Sequence, residues 1–391
     1  MLDGRFSPWP CFTQEEASAV SRVLLSNRVN YWTGQEAREF EREFATFSGT
    51  AHAVALTNGT VAIDLALKVL GVGPGDQVVV TPRTFLASAS SIVSVGAEPV
   101  FADVDPDSQN ITAESVSRVL SKRTKALLCV HLAGWPCEMD SMTTLARDHG
   151  LAVIEDCAQA HGAGYRGRPA GSLGDAAAWS FCQDKIMTTG GEGGMLTTSR
   201  EDLWRSAWSY KDHGKSFAAV YEREHPPGFR WLHESFGTNW RMLEMQAVIG
   251  RLQLARMVEW RAARDANARA ILEACAESAA LRVPLPPSHV EHAWYRAYAF
   301  VRPEGLASGW SRDRIMSEIN ERGVPCFAGS CSEVYLEKAF DGTPWRPAER
   351  LPVARRLGET SLSFLVHPTL TPEEIAKTAN VIRQVLRAAT R

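Results

Sequence analysis

A chain of 391 residues, 45% of them hydrophobic, is long enough to bury a sizeable core and to divide into a large and a smaller unit. The formal net charge of −3 leaves no broad basic field for a nucleic-acid backbone, and local clusters such as RAARDANAR mix signs. The eight cysteines contain no CxxC pair, which points to reduced core thiols rather than disulfides or zinc ligands. MLDGRFSPWP lacks the basic and apolar regions of a secretory leader, and no apolar run is long enough to cross a bilayer, so a soluble cytoplasmic protein is expected.

From about Ala53 to Thr198, apolar runs alternate with amphipathic ones: AVAL, helix VAIDLALKVLG, QVVVTP, helix FLASASSIVSVG, PVFADV, helix ITAESVSRVLS, KALLCVH, helix MDSMTTLARDHG, LAVIED, AAAWSF and GGMLTT. Continuously apolar strands separated by helices predict an α/β fold whose mostly parallel central sheet is flanked by helices. After Arg241, Met242, Met245, Ile249 and Leu252 recur at helical spacing and predict one long helix running through MVEWRAARDANARAILEACAES. LRVPLPPSH breaks it, and a smaller α+β unit follows: AYAFVRP, helix SRDRIMSEINERG, VPCF, SLSFLV and a last helix opened by a Thr371/Pro372/Glu374 capping box. The expected division is a large unit over 1–255, with the amino-terminal segment, and a smaller carboxyl-terminal α+β unit over 256–391.

Ligands of such sheets bind beyond the carboxyl ends of the strands, and three segments there carry candidate chemistry. TNGT passes from a strand into a helix, where backbone N–H groups, the close approach allowed by Gly59 and the Thr60 hydroxyl would cradle a phosphate. LAVIED ends on Glu155 and Asp156, of which Asp156 is expected to turn inward and needs a partner such as a pyridinium N–H, with Glu155 on the opposite face. Lys185 stands before TTGGEGG, glycines that let a loop turn tightly beneath a flat ring. A carboxylate for a ring nitrogen and an amine for an aldehyde are what pyridoxal 5'-phosphate requires, and Lys185 would both bind it and carry the substrate proton. Phe85 would stack on the ring, Gln159 bond its hydroxyl and Ser180 donate to the phosphate. Taken singly, each has an ordinary structural role open to it: helix cap, core aromatic, solvated lysine. The weight rests on their combination.

These residues sit in a wider set of ordered motifs: TNGTVAIDLALKVLGVGPGDQVVVTPRTFLASA, GAEPVFADVDPDSQNI, VHLAGWPCEMD, VIEDCAQAHGA, GSLGDAAAWSFCQDK with TTGGEGGML, GTNWRMLEMQAVIG and LPVARRL. Over nearly its whole length the chain closely resembles the DegT/DnrJ/EryC1/StrS sugar aminotransferases, fold-type I pyridoxal phosphate enzymes. The resemblance implies Lys185 as the Schiff-base lysine, Asp156 as the pyridinium partner, Phe85 as the stacking ring, Gln159 at the ring hydroxyl, and phosphate contacts from Gly59, Thr60 and Ser180. It further implies a homodimer in which Asn239 of the neighbouring copy completes the phosphate site.

The implied reaction moves an amino group, from glutamate by the same resemblance, onto a nucleotide-linked keto-sugar, giving an amino sugar of the kind used in polysaccharide or O-antigen biosynthesis. A dehydratase branch of the family replaces the lysine by histidine, so the retained Lys185 favours amination over sugar dehydration. A regulatory protein that only binds the sugar nucleotide is a further alternative. The stretch Phe-Cys-Gln-Asp-Lys-Ile after Ser180 and the presence of Leu243 depart from the usual family pattern, which leaves the sugar open. NYWTGQE, His213 and the PCFAGSCSEVY loop are expected walls of the substrate pocket.

Overall fold

The computed structural model describes residues 6–390, so the first five residues of the segment read above for a leader lie outside it. Its main sheet is built from β1 (His52–Leu56), β2 (Gln77–Val80), β3 (Glu98–Phe101), β4 (Thr124–Val130), β5 (Ala152–Asp156), β8 (Ala176–Ser180) and β9 (Gly194–Thr198). A hairpin of β6 (Gly164–Tyr165) and β7 (Arg168–Pro169) lies between β5 and β8 in sequence and pairs with β11 (Val290–Glu291). In space the main sheet is ordered β1-β9-β8-β5-β4-β2-β3. All its strands run the same way except β9, which is antiparallel to both neighbours. The expected α/β fold with a mostly parallel sheet is therefore present. The reversal follows from the connection: β8 reaches β9 through a loop without a crossover helix, and only antiparallel neighbours can be joined that way.

Alternation along the strands decides which side chains meet which helices. Leu56, Ile154 and Ala178 share a core with Ala62, Ile63 and Ala66 of helix Gly59–Val69 and with Ala89 and Ile92 of helix Ala87–Ser94. On the opposite face Val153 packs with Met139 and Met142 of helix Met139–His149, while Trp179 packs with Phe40 and Phe44 of helix Glu36–Ser48. Asp156 thus falls on the face of Ile154, and Glu155 on the face of Val153.

Glu155 is fully buried and serves as an anchor. One carboxylate oxygen faces His131 Nε2 at 2.9 Å and accepts from Gly171 N at 2.9 Å; the other accepts from Leu173 N and Gly174 N at 2.7 Å each. His131 Nδ1 accepts from Cys137 N at 3.1 Å, which leaves Nε2 to donate to Glu155. Burial acts to raise the pKa of Glu155, but the His131 hydrogen bond and the Gly171 and Gly174 amides hold it below the ordinary 4.5. A carboxylate lowered in the folded state contributes stability above its unfolded pKa and loses it as pH falls through the folded one. Glu155→Ala, which strands the imidazole and three amides, is expected to cost about 3–5 kcal/mol in urea unfolding at neutral pH. The difference from the parent should shrink as the pH is taken below 4.5; an unchanged unfolding midpoint would contradict this role.

The second sheet, β10 (Leu281–Arg282), β12 (Ala297–Val301), β14 (Ser361–Phe364) and β13 (Cys326–Phe327) in spatial order, is antiparallel throughout. Helices Met257–Ala276, Arg312–Glu321 and Pro372–Ala389 cover it around Ile271, Ile319 and Ile382. The last helix opens with the expected capping box, Thr371 and Glu374 bonding each other's backbone amide.

The single long helix expected after Arg241 is instead two, Glu244–Leu254 and Met257–Ala276, with Met242 ahead of both. Arg256 stands at φ −92° and ψ −3° between them. Tertiary contacts fix the break: the Arg256 guanidinium pairs with Glu15 and Glu16, and Gln253 Nε2 donates to Glu16 at 2.9 Å. Those glutamates belong to helix Gln14–Leu25, whose own capping box, Thr13 with Glu16, was a readable signal in TQEE that the sequence reading passed over. No helix among the described residues is long and apolar enough to cross a membrane.

Candidate active site

The carboxyl ends of β1, β4, β5 and β8 converge on a cleft of about 570 Å³ lined by Gly59, Thr60, Phe85, Asp156, Gln159, Ser180 and Lys185, among others. Asp156 closes its floor. Its carboxylate accepts from Ser88 Oγ at 2.8 Å and from Ala158 N at 3.1 Å. Since Ser88 spends its proton on Asp156, the hydroxyl of Thr84, 2.9 Å away, is the donor to Ser88. Burial raises the pKa of Asp156, and the two hydrogen bonds together with the Lys185 charge oppose that rise. With only two donors from the protein, the carboxylate keeps lone pairs for another.

Lys185 lies in the loop between β8 and β9, its side chain only 16% exposed. Cys182 O accepts from its backbone N–H at 3.0 Å, and the Trp9 indole donates to its carbonyl at 2.8 Å. Thr188 fastens the far side of the loop through Oγ1 to Phe181 O and through its N–H to Gln253, both at 2.8 Å. Gly191 takes φ 119°, a conformation closed to other residues, to return the chain to β9. The Lys185 amine rests 3.2 Å from Asp184 Oδ1 and 5.3 Å from the centre of the Tyr295 ring. Burial acts to raise the pKa of Asp184, but the Lys185 charge and the Tyr295 hydroxyl hold it below the ordinary carboxylate value.

Helix Gly59–Val69 points its amino terminus at the cleft. Asn58 caps it by accepting from Val61 N at 3.0 Å, which leaves the Gly59 and Thr60 amides without intrahelical acceptors. A Cβ at residue 59 would stand 2.6 Å from Ser180 Cβ, so glycine is what lets β8 approach the helix start. Phe85 is 73% exposed on the lip of the cleft. Gln159 Oε1 accepts from Ala133 N at 2.7 Å, which fixes the orientation of its amide. Seven of the eight residues singled out in the sequence thus share one cleft. The eighth, Asn239, lies exposed in a loop outside it, its backbone bridged to Asp212.

A second cleft of about 470 Å³ adjoins Lys185 and is walled by Phe327, Gly329, Ser330, Cys331 and Tyr298. The PCFAGSCSEVY loop therefore walls a cleft beside Lys185, whereas NYWTG does not line either cleft of its own chain. Trp32 Nε1 instead donates to buried Asp212 at 2.7 Å, and Arg241 and Lys215 bond the same carboxylate at 2.7 Å and 3.0 Å. That cluster ties the amino-terminal segment to the loop carrying Asn239. Asp184, Tyr295, Ser88 and Trp9 were missed in the sequence; each is an ordinary polar or aromatic residue whose place depends on long-range packing, and no local pattern marks it.

A buried aspartate and a loop lysine at the carboxyl edge of such a sheet, beside a helix start with free amides, fit pyridoxal phosphate, the cofactor of aminotransferases of this fold. The chain belongs to the DegT/DnrJ/EryC1/StrS aminotransferase family, whose model matches residues 10–383. It is 62% identical to the aminotransferase from Psychrobacter cryohalolentis, with 98% of this chain and 99% of that one covered and a TM-score of 0.96. Among curated relatives, GDP-perosamine synthase of Caulobacter vibrioides is 37% identical over 89% of each chain. The dTDP-3-amino-3,4,6-trideoxy-alpha-D-glucose transaminase of Streptomyces venezuelae is 34% identical over 95% of this chain and 92% of its own.

Proposed function

We propose that the protein transfers an amino group from L-glutamate to the ketone of a nucleotide-linked keto-sugar, giving an amino sugar. The observation that carries this is the convergence of Asp156, Lys185, Gly59, Ser180 and Phe85 on one cleft that is joined beside Lys185 by a second, slightly smaller one. The names of the two curated relatives, both of nucleotide-linked amino sugars, support the substrate class. Bound in the first cleft, pyridoxal phosphate supplies the aldehyde that takes up the amine and the ring that accepts an electron pair from the substrate carbon.

The chain's own residues do the rest. Asp156, buried and with spare acceptor capacity, holds a proton on the ring nitrogen. Gly59, Thr60 and Ser180 receive the phosphate on amides and hydroxyls at a helix start. Phe85 covers the ring face, Gln159 meets the ring hydroxyl, and Lys185 binds the cofactor and afterwards carries the proton to or from the substrate carbon. In this reading a homodimer brings Asn239 of the second copy to the phosphate, the cofactor unit ends near residue 255 and the α+β unit follows it, and the enzyme works in the cytoplasm with its cysteines reduced. Incubation of the holoenzyme with nitrogen-labelled L-glutamate and a nucleotide-linked keto-sugar is expected to place the label in the sugar by mass spectrometry. A deoxygenated product free of label would replace amination by dehydration, and binding without turnover would make the protein a sensor.

A further inference from the structure

A third cavity, of about 390 Å³, lies beyond Asp184 and shares Tyr295, Arg296 and Phe327 with the cleft beside Lys185. Its remaining walls include Trp9, Arg264 and His367. Arg264 is 2% exposed; its Nη1 donates to Trp294 O at 3.3 Å and its buried Nε has no partner. The guanidinium carbon sits 5.1 Å from the Trp9 ring centre. Arg296 reaches the same space from the residue just ahead of β12, 5.0 Å from the Phe327 ring, with its buried Nη1 also unpartnered. The carboxylate on the wall, Asp184, is already engaged by Lys185 and Tyr295.

A buried guanidinium that faces the charge of a second, half-buried one rather than a carboxylate is costly to hold. Burial, and then the Arg296 charge, pull the pKa of Arg264 down to about 9, and burial with both arginines pushes His367 down to about 3, so the imidazole stays neutral. Folding alone gives no return for this arrangement; an arriving anion does, because it meets free N–H donors in a region shielded from water. The forked donors suit a planar carboxylate, and aromatic walls on Trp9, Tyr295 and Phe327 limit the space around it.

We propose that Arg264 and Arg296 form a carboxylate-binding subsite for the reactant whose amine or ketone reaches Lys185. This rests on the aminotransferase reading of Lys185 and adds to it a requirement on the substrate: a carboxylate on the reacting side of the molecule. Two reactants can supply it, the amino-acid donor or a nucleotide-linked sugar that is itself a uronate. Trp9 spans both places, donating to the Lys185 backbone while its ring lies against Arg264, so occupancy of the subsite is coupled to the lysine loop.

The test uses the cofactor-loaded enzyme, R264Q and R296Q, with L-glutamate as reactant and glutarate as an unreactive carboxylate probe followed by tryptophan fluorescence. Half-saturation by glutamate and binding of glutarate are expected to weaken at least about tenfold in each variant, with the limiting rate changed much less. If glutamate and glutarate are unaffected but the preference for UDP-glucuronate over UDP-glucose as inhibitors falls by that factor, the carboxylate belongs to the sugar and the subsite stands. No change in glutamate, glutarate or that preference overturns the proposal. Without ligand, R264Q should melt at or above the parent temperature, since it removes an unpaired buried charge. A lower melting temperature with unchanged glutarate binding would assign the pair to packing and likewise overturn the subsite; R296Q, at a half-buried position, keeps the test readable if R264Q does not fold. A parent enzyme that binds glutarate through these arginines but takes no nitrogen from glutamate would sink the proposed L-glutamate donor while leaving the subsite in place.

Discussion

Lys185→Ala is expected to lower turnover of the cofactor-loaded enzyme by at least about 1,000-fold, since proton transfer alone contributes about 100- to 10,000-fold and the same amine holds the cofactor. The change should be confined to chemistry. Lys185 is tied to the fold through its backbone, to Cys182 O and the Trp9 indole, and those bonds survive truncation of the side chain. Thermal unfolding of the apoprotein should therefore be close to that of the parent. Hydride reduction followed by peptide mass spectrometry separates a lost covalent anchor from a distorted loop: the parent should retain cofactor on the peptide carrying Lys185, and the variant should retain none. A fully active Lys185→Ala enzyme would end the assignment.

Asp156→Asn should lower kcat/KM by about 100- to 1,000-fold, the loss seen when one preorganised charged or dipolar partner of a reacting system is removed. Its effect on stability should run the other way. Burial raises the folded-state pKa of Asp156 above the ordinary 3.8, so between those two values the folded protein binds the extra proton and the ionised carboxylate works against folding as the pH rises. Asparagine keeps an oxygen to accept from Ala158 N without that charge, and its NH2 group can donate to Ser88 Oγ, whose own proton then turns to Thr84 Oγ1. The apoprotein variant is thus expected to match or exceed the parent in urea unfolding at neutral pH, with the gain fading as the pH drops toward 3.8. A variant that loses stability and activity together would mean that Asp156 acts mainly as a structural cap.

The parts of the site that were legible in sequence are those carried by short continuous segments. TNGT, the end of LAVIED, and Lys185 before a glycine run each set a residue of suitable chemistry at or just beyond a strand end, and it is their combination that marks the site. Alternation along β5 was enough to send Asp156 and Glu155 to opposite faces, and the structure keeps them there. What stayed hidden depends on partners far away in the chain. The helix expected after Arg241 breaks because Arg256 and Gln253 are claimed by Glu15 and Glu16, and no local propensity records that. Ser88 becomes a partner of Asp156 only because its helix, packed against β2, β3 and helix Gly59–Val69, sets it 68 residues away in sequence against that carboxylate. The tryptophan and tyrosine of NYWTG, read as pocket walls, instead bond the buried Asp212 and the partly buried Glu41, an arrangement visible only once those carboxylates are in place.

The reversed strand β9 has a consequence for the order of assembly. β1 pairs with β9 and not with any strand close to it in sequence, so the edge of the sheet is completed by a contact between segments separated by most of the large unit. Such a closure carries a heavy loop entropy cost and comes after the more local β2, β3, β4 and β5 pairings. Gly59 and Ser180, one following β1 and the other ending β8, meet at that same edge, where helix Gly59–Val69 packs on β8 and β9. The Gly59–Ser180 contact is thus a late product of folding, set at the far edge of the sheet from the β2 and β3 pairing, whereas Asp156 is placed by its neighbours β4 and β8.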